Sequence, residues 1–285
     1  MHQESQETAE RGVGWWVVKL SVTIYSLRSY VLRGALNVPK FIEVIAKLGA
    51  DGVDLGYYWR SDEERREAKR RLEELGLELA CYITSNDFTR PRAEERKAEI
   101  EKVKAAIREA KEMGAEKLRI FAGSLREGLD PRQVEEWVVE ALSEVADYAS
   151  SEGMVLALEN HGTYFSRAEV IEKLLKVVNS PSLKLNFDTG NFVHAGDDPV
   201  VAARKLGRWV VHGHAKDVDE RGAPCAPGEG VIDFEAIARE LESQGFNGYF
   251  SIEYEGVRDQ LVGVGIGLGY LRALSIKASI AGSPL

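Results

Sequence analysis

Short runs rich in β-branched and aromatic residues alternate with longer amphipathic stretches along the chain, the pattern of repeated strand–helix units. The runs read as strands are Trp16–Tyr25, Gly52–Leu55, Leu77–Thr84, Lys117–Ala122, Met154–Glu159, Leu183–Asp188, Val210–Ala215 and Tyr249–Tyr254. Several are nearly continuous in Val, Leu, Ile and Phe, as expected of parallel strands covered on both faces. Between them, Ile100, Val103, Ile107 and Ala110 recur at three- and four-residue spacing. Val134, Trp137, Val138, Ala141, Leu142 and Val145 do the same, as do Phe234, Ile237, Ala238 and Leu241. Each set makes one apolar stripe on a helix. Gly76, Gly114, Gly153 and Gly245 each stand between a helical run and the next strand, where a left-handed C-cap is wanted. Eight such units with no Pro/Gly/Ser-rich linker predict one α/β domain, a (β/α)8 TIM barrel over residues 15–285. A short polar N-terminal tail over residues 1–14 precedes it. An open doubly wound sheet competes, but Ser26-Leu27-Arg28 stand where its Gly-rich dinucleotide fingerprint belongs.

Composition narrows the function classes. The 285 residues carry 37 lysines and arginines against 46 acidic side chains, a formal charge of −9. That balance argues against nucleic acid or an anionic membrane as partner, since both need a positive field. Cys81 and Cys225 are the only thiols, too few for a disulfide framework, which fits a reducing cytosol. The apolar stretch from Gly12 to Leu27 is interrupted by Lys19 and is too short to span a bilayer. The first eleven residues lack the basic start and apolar run of a signal peptide. The expectation is a cytoplasmic enzyme acting on a small molecule, with homo-oligomerisation left open.

In a barrel of this kind the functional residues project from the C-terminal ends of the strands. Those positions hold Glu159-Asn160-His161 after the fifth strand and Asp188-Thr189-Gly190-Asn191 after the sixth. The seventh supplies His212-Gly213-His214-Ala215-Lys216-Asp217, and the eighth ends in Glu253-Tyr254. Carboxylates at the ends of apolar strands are costly unless paired or bound to a metal, and three converging ones repel unless a cation joins them. Glu159, Asp188, His214 and Glu253 therefore form a candidate three-oxygen, one-nitrogen site for one divalent ion. Mn²⁺ is the first expectation, with Mg²⁺, Co²⁺ and Zn²⁺ as alternatives. The competing reading is that each merely caps a helix or pairs in a salt bridge.

At these residues the chain resembles the xylose-isomerase-like sugar phosphate isomerase/epimerase superfamily of TIM barrels. The likeness covers nearly all of the sequence after the tail. It is carried by Ala157–His161, Asn186–Asn191, His212–Asp217, the loop Pro227–Asp233 and Gly248–Glu253. The resemblance implies a divalent metal on Glu159, Asp188, His214 and Glu253, and it supports His214 over His212 as the imidazole ligand. It further implies that Glu159 and Glu253 are the catalytic acid/base pair, moving a proton through a metal-bound enediolate. Such a site serves an isomerase or epimerase of a small sugar or keto-polyol. The alternative is a lyase on the same metal, namely an inosose or dehydroshikimate-type dehydratase or a C-glycoside-cleaving subunit.

His161, Asn191 and Lys216 are expected to touch substrate, and the rim aromatics Tyr57, Tyr58, Trp59, Phe88, Tyr164 and Phe165 to offer a platform for a sugar ring, with Tyr57 foremost. Two departures from the pattern count against a ketose 3-epimerase. Asn191 stands where several relatives carry histidine, and Phe165 stands where those epimerases carry a carboxylate. The loop Gly228-Glu229-Gly230 has no cation to cradle a phosphate. A remote alternative is an enzyme like endonuclease IV, which draws on several histidines for a three-metal cluster. Five histidines and the acidic balance speak against it.

Overall fold

The computed structural model describes residues 19–281, so the expected tail and positions 16–18 of the predicted first strand lie outside the described residues. The chain runs through β1 (Lys19–Thr23), β2 (Gly52–Gly56), β3 (Glu78–Ile83) and β4 (Lys117–Phe121). It continues through β5 (Val155–Glu159), β6 (Leu183–Asp188) and β7 (Val210–Ala215). A small antiparallel pair follows, β8 (Asp217–Val218) with β9 (Pro224–Cys225), and then β10 (Tyr249–Ile252). The first seven strands and β10 form a closed parallel barrel in chain order. β10 closes it on β1, Lys19 facing Tyr249 and Val22 facing Ile252. All eight predicted strands are present: β6 and β7 keep their expected bounds, β2 runs one residue longer, and the others are shorter by a few residues at most within the described range. The segment after β1 turns into a 3₁₀ turn at Ile24–Leu27 instead of staying extended.

The helices are α1 (Arg28–Leu32), α2 (Val38–Lys47), α3 (Asp62–Leu75), α4 (Ala93–Met113) and α5 (Pro131–Glu152). Then come α6 (Ala168–Val178), α7 (Thr189–His194), α8 (Pro199–Leu206), α9 (Phe234–Ser243) and α10 (Gln260–Ala281). The stripes read from the sequence face the barrel: Ile100, Val103, Ile107 and Ala110 on α4 are buried, as are Val134, Val138, Ala141, Leu142 and Val145 on α5. Gly76, Gly114 and Gly153 close α3, α4 and α5 in the left-handed conformation, which a residue without Cβ adopts at no steric cost.

α10 is long and apolar enough by composition to cross a bilayer. In the barrel it packs Val264, Leu268 and Leu271 into the core, and Arg272 reaches Asp51 at 2.9 Å.

Where TIM barrels commonly fill their interior with branched aliphatics, this one is polar beneath its C-terminal mouth. Ser21, Asp54, Arg119, Asn186 and His212 are all buried. They are linked to one another or to Glu159 by hydrogen bonds and ion pairs. That polar layer is the floor on which the candidate site stands.

Candidate active site and metal centre

β5, β6 and β7 carry Glu159, Asp188 and His214 at their C-terminal ends: Glu159 is in register with Asn186, two residues before Asp188, and Asp188 with His214. Glu253 lies one residue beyond β10, yet its N–H still donates to Ala215 O at 3.1 Å, extending the ladder by one step. One ligand atom from each of the four residues falls within 4.8 Å of all the others. His214 Nδ1 is the hub, 2.5 Å from Glu253 Oε2, 3.4 Å from Glu159 Oε2 and 3.9 Å from Asp188 Oδ2. The four predicted ligands thus converge.

Local chemistry fixes each one. Asp188 divides its oxygens: Oδ1 caps α7 by accepting from Asn191 N at 2.8 Å, and Oδ2 is buried with no hydrogen-bond partner. Capping and ligation are compatible here, one oxygen serving each. Asn160 clamps the same strand end, donating to Asp188 O at 2.9 Å and accepting from Asp188 N at 2.8 Å. Glu159 Oε2 takes a hydrogen bond from Asn186 Nδ2 at 3.0 Å and faces Arg119 Nε at 3.4 Å. The Asn191 amide lies 3.4 Å from Glu159 Oε1.

Crowded negative charge sets the proton affinities of these groups. Burial, with the carboxylates of Glu253 and Glu159, pushes the Asp188 carboxyl well above its ordinary range despite the nearby Lys216. Burial opposes charge on His214 as well, but Glu253 and Glu159 outweigh it and hold the imidazolium stable far above its usual pKa. Burial also works against the Glu253 carboxylate, and the positive His214 and Lys216 more than compensate, lowering its pKa. A divalent cation answers the same electrostatic need. The orphaned Asp188 Oδ2, the convergent His214 Nδ1 and a donor set of three carboxylates with one imidazole all fit such an ion. We expect a saturating divalent ion at about 100 times its dissociation constant to add about 2.7 kcal/mol of stability. That is a rise in melting temperature of roughly 5–10 °C. Asp188→Asn, which can keep the cap on α7, should lose most of that rise in a thermal melt with and without Mn²⁺.

The expected substrate contacts divide into two groups. Asn191 and Lys216 are buried and face the cluster, Lys216 Nζ lying 3.7 Å from Glu253 Oε1. Gly190 makes room for the Lys216 stem, since a Cβ there would meet Lys216 Cγ at 2.7 Å. Lys216 pairs with Glu255 at 2.7 Å and not with Asp217. Burial opposes its charge, but Asp188, Glu253 and Glu255 together raise its pKa, keeping it cationic. His161 and Tyr57 lie farther out. His161 is half-buried with its ring 4.4 Å from Phe121. Tyr57 is exposed, stacks on Tyr58 at 4.7 Å, and lines a cavity of about 390 Å³ with Trp59, Arg60 and Arg65.

The aromatic platform needs correction. Phe88 and Phe165 are fully buried in the hydrophobic core. His194 is exposed at the end of α7. The 228–232 loop does present converging N–H groups, but Gly228, Gly230 and Ile232 all donate to the Asp217 carboxylate. An internal anion already fills that nest.

Three participants were missed in the sequence: Asp54, Arg119 and Glu255. Asp54 is fully buried in the middle of β2, its Oδ2 2.8 Å from His212 Nε2 and 3.4 Å from His214 Nε2. Burial disfavours its charge, but His212 and His214 outweigh that and hold its carboxyl well below the usual range. The signal for Asp54 and Arg119 was a charged residue inside an apolar strand, in each case two positions before the strand's last residue.

The sequence profile of the xylose isomerase-like TIM barrel matches residues 42–274. An inosose dehydratase from Clostridium perfringens is 28% identical over 242 residues, covering 75% of this chain and 81% of its own. Among solved structures, the probable 3-DHS dehydratase involved in petrobactin synthesis from Bacillus anthracis superposes with a TM-score of 0.73 at 20% identity. It covers 89% of this chain and 98% of that one. A D-tagatose 3-epimerase-like protein superposes with a TM-score of 0.75 at 20% identity, covering 91% and 99%. These two likenesses carry the fold. With the family profile spanning most of the barrel, the chain belongs to the xylose isomerase-like TIM-barrel family.

Proposed function

We propose that this protein is a divalent-cation-dependent lyase that dehydrates a small cyclic keto-polyol of the inosose type. The observation that carries the reading is the convergence of two buried glutamates, Glu159 and Glu253, on His214 from strands on either side of β7. When bound by Glu159, Asp188, His214 and Glu253, a divalent ion would polarise the substrate carbonyl and acidify the neighbouring C–H. One glutamate takes that proton, forming an enediolate. The Lys216 ammonium, 3.7 Å from Glu253, places positive charge beside it. The enediolate then collapses to the carbonyl as the new Cα–Cβ double bond forms and the Cβ–O bond breaks, and the departing hydroxyl takes its proton from the glutamate pair, so the overall change is loss of one water. His161, Asn191 and Tyr57 are the further substrate contacts in this reading.

Isomerisation or epimerisation, the first expectation from the sequence, uses the same proton removal and differs only in where the proton returns. Two observations move the balance toward elimination. Phe165 is sealed in the core, so no carboxylate stands at the position where ketose 3-epimerases carry one, and the curated relatives reported above include an inosose dehydratase. An unphosphorylated substrate is supported by the Asp217-filled nest of the 228–232 loop. The test is a panel of inososes, 3-dehydroshikimate, ketoses and hydroxypyruvate with Mn²⁺-loaded enzyme in D₂O. An inosose should lose water; deuterium exchange into a ketose with no elimination would move the assignment to an epimerase, and exchange into none would remove both.

A further inference from the structure

Asp54 lies outside the four-ligand cluster, yet it touches that cluster from below. Its Oδ2 is hydrogen-bonded to His212 Nε2 at 2.8 Å and stands in ion-pair contact with His214 Nε2 at 3.4 Å. Its other oxygen accepts from Ser21 Oγ at 3.2 Å. Asp54 and His212 are fully buried and His214 nearly so. Among the described residues neither His212 Nδ1 nor His214 Nε2 has a well-directed hydrogen-bond partner, so no group other than Asp54 competes for the Nε2 hydrogen of His214.

Asp54, His212 and His214 are close enough to suggest a second metal site, but the spacing argues otherwise. A nitrogen and an oxygen bonded to one ion at about 2.1 Å and tetrahedral angles stand roughly 3.4 Å apart. The 2.8 Å between His212 Nε2 and Asp54 Oδ2 is the length of a charge-assisted hydrogen bond.

A carboxylate oxygen accepts and does not donate, so His212 Nε2 carries its hydrogen, and a hydrogen on His214 Nε2 is the arrangement that makes its 3.4 Å contact with Asp54 attractive. We propose that Asp54 is a positioning residue whose Oδ2 takes the Nε2 hydrogens of both His212 and His214, turning the Nδ1 lone pair of His214 toward Glu159, Asp188 and Glu253. Of the two neutral tautomers of His214, this selects the one able to ligate. A carboxylate behind a ligating histidine fixes ring orientation and raises ligand basicity. His212 supplies the second, shorter bond and keeps the carboxylate from swinging away. This inference rests on the metal reading of the cluster and adds to it a residue that touches neither ion nor substrate.

The test is Mn²⁺ binding to the full chain, followed by electron paramagnetic resonance, in wild type and Asp54→Asn. The amide keeps the shape but not the negative charge that fixes the ring and raises the basicity of His214, so the dissociation constant should rise about 10- to 100-fold. The second measurement needs no variant: long-range ¹H–¹⁵N spectra of ¹⁵N-histidine-labelled wild type loaded with diamagnetic Zn²⁺. Both His212 and His214 should show the hydrogen on Nε2. An unchanged Mn²⁺ affinity in a folded Asp54→Asn, or an Nδ1–H tautomer at either histidine, overturns the role of Asp54 alone. A wild type that takes up no divalent ion overturns the metal reading with it.

Discussion

Glu253→Gln should lower turnover by about 10²- to 10⁴-fold, the usual contribution of a positioned acid or base, with melting temperature close to wild type. The two halves of that result have separate causes. The amide keeps the shape of the side chain but cannot accept a proton, so the chemical step loses its partner. Stability is protected because the cations facing Glu253 have other counterions: Lys216 keeps Glu255 at 2.7 Å, and His214 keeps Glu159 at 3.4 Å. The check is kcat at saturating Mn²⁺ alongside metal content by elemental analysis, which separates lost chemistry from lost ion. A turnover left within an order of magnitude of wild type, metal retained, would remove Glu253 from the acid/base pair.

Glu159→Gln should produce a similar loss of turnover together with a fall in stability that Glu253→Gln does not show. The difference is Arg119. Its guanidinium is buried in β4 against the Phe121 ring, with Nε and Nη1 lacking hydrogen bonds, and Glu159 is the carboxylate it pairs with, at 3.4 Å. Removing one partner of a buried ion pair leaves an uncompensated charge and costs about 3–5 kcal/mol. At about 2–4 °C per kcal/mol, that is a fall in melting temperature on the order of 10 °C. Adding Arg119→Met removes the orphaned charge, so the double variant should recover most of the stability and none of the turnover. Thermal melts of the four proteins form a double-mutant cycle. Equal melting temperatures for wild type and Glu159→Gln would refute the coupling.

Much of this was legible in one dimension. Runs of buried-strand composition and stripes of helical period gave eight strand–helix units, because burial on both faces leaves a mark on composition that needs no partner to be read. The four convergent ligands were legible for a related reason: strand ends are marked by the switch from apolar to polar residues, and in a parallel barrel all those ends lie on one face. Lys216 and Asn191 followed from the same rule.

What the sequence hid depends on height and neighbourhood inside the barrel. Asp54 and Arg119 share the inward parity of residues at the mouth, but parity says only which face a side chain takes. That Asp54 on β2 sits across from His212 on β7, 158 residues away in sequence, depends on how far each strand is staggered as the sheet closes. Phe88 and Phe165 failed for the complementary reason: a loop aromatic packs in the core or lines the rim according to how its loop folds back, and no local period records that. The sequence by itself determined the strand–helix repeat, the end of the barrel where the polar groups gather and the four groups able to hold an ion. Only the closed barrel decided which charges answer one another beneath that face, because a buried carboxylate or guanidinium is stabilised by groups within a few ångströms of space, whatever their separation along the chain.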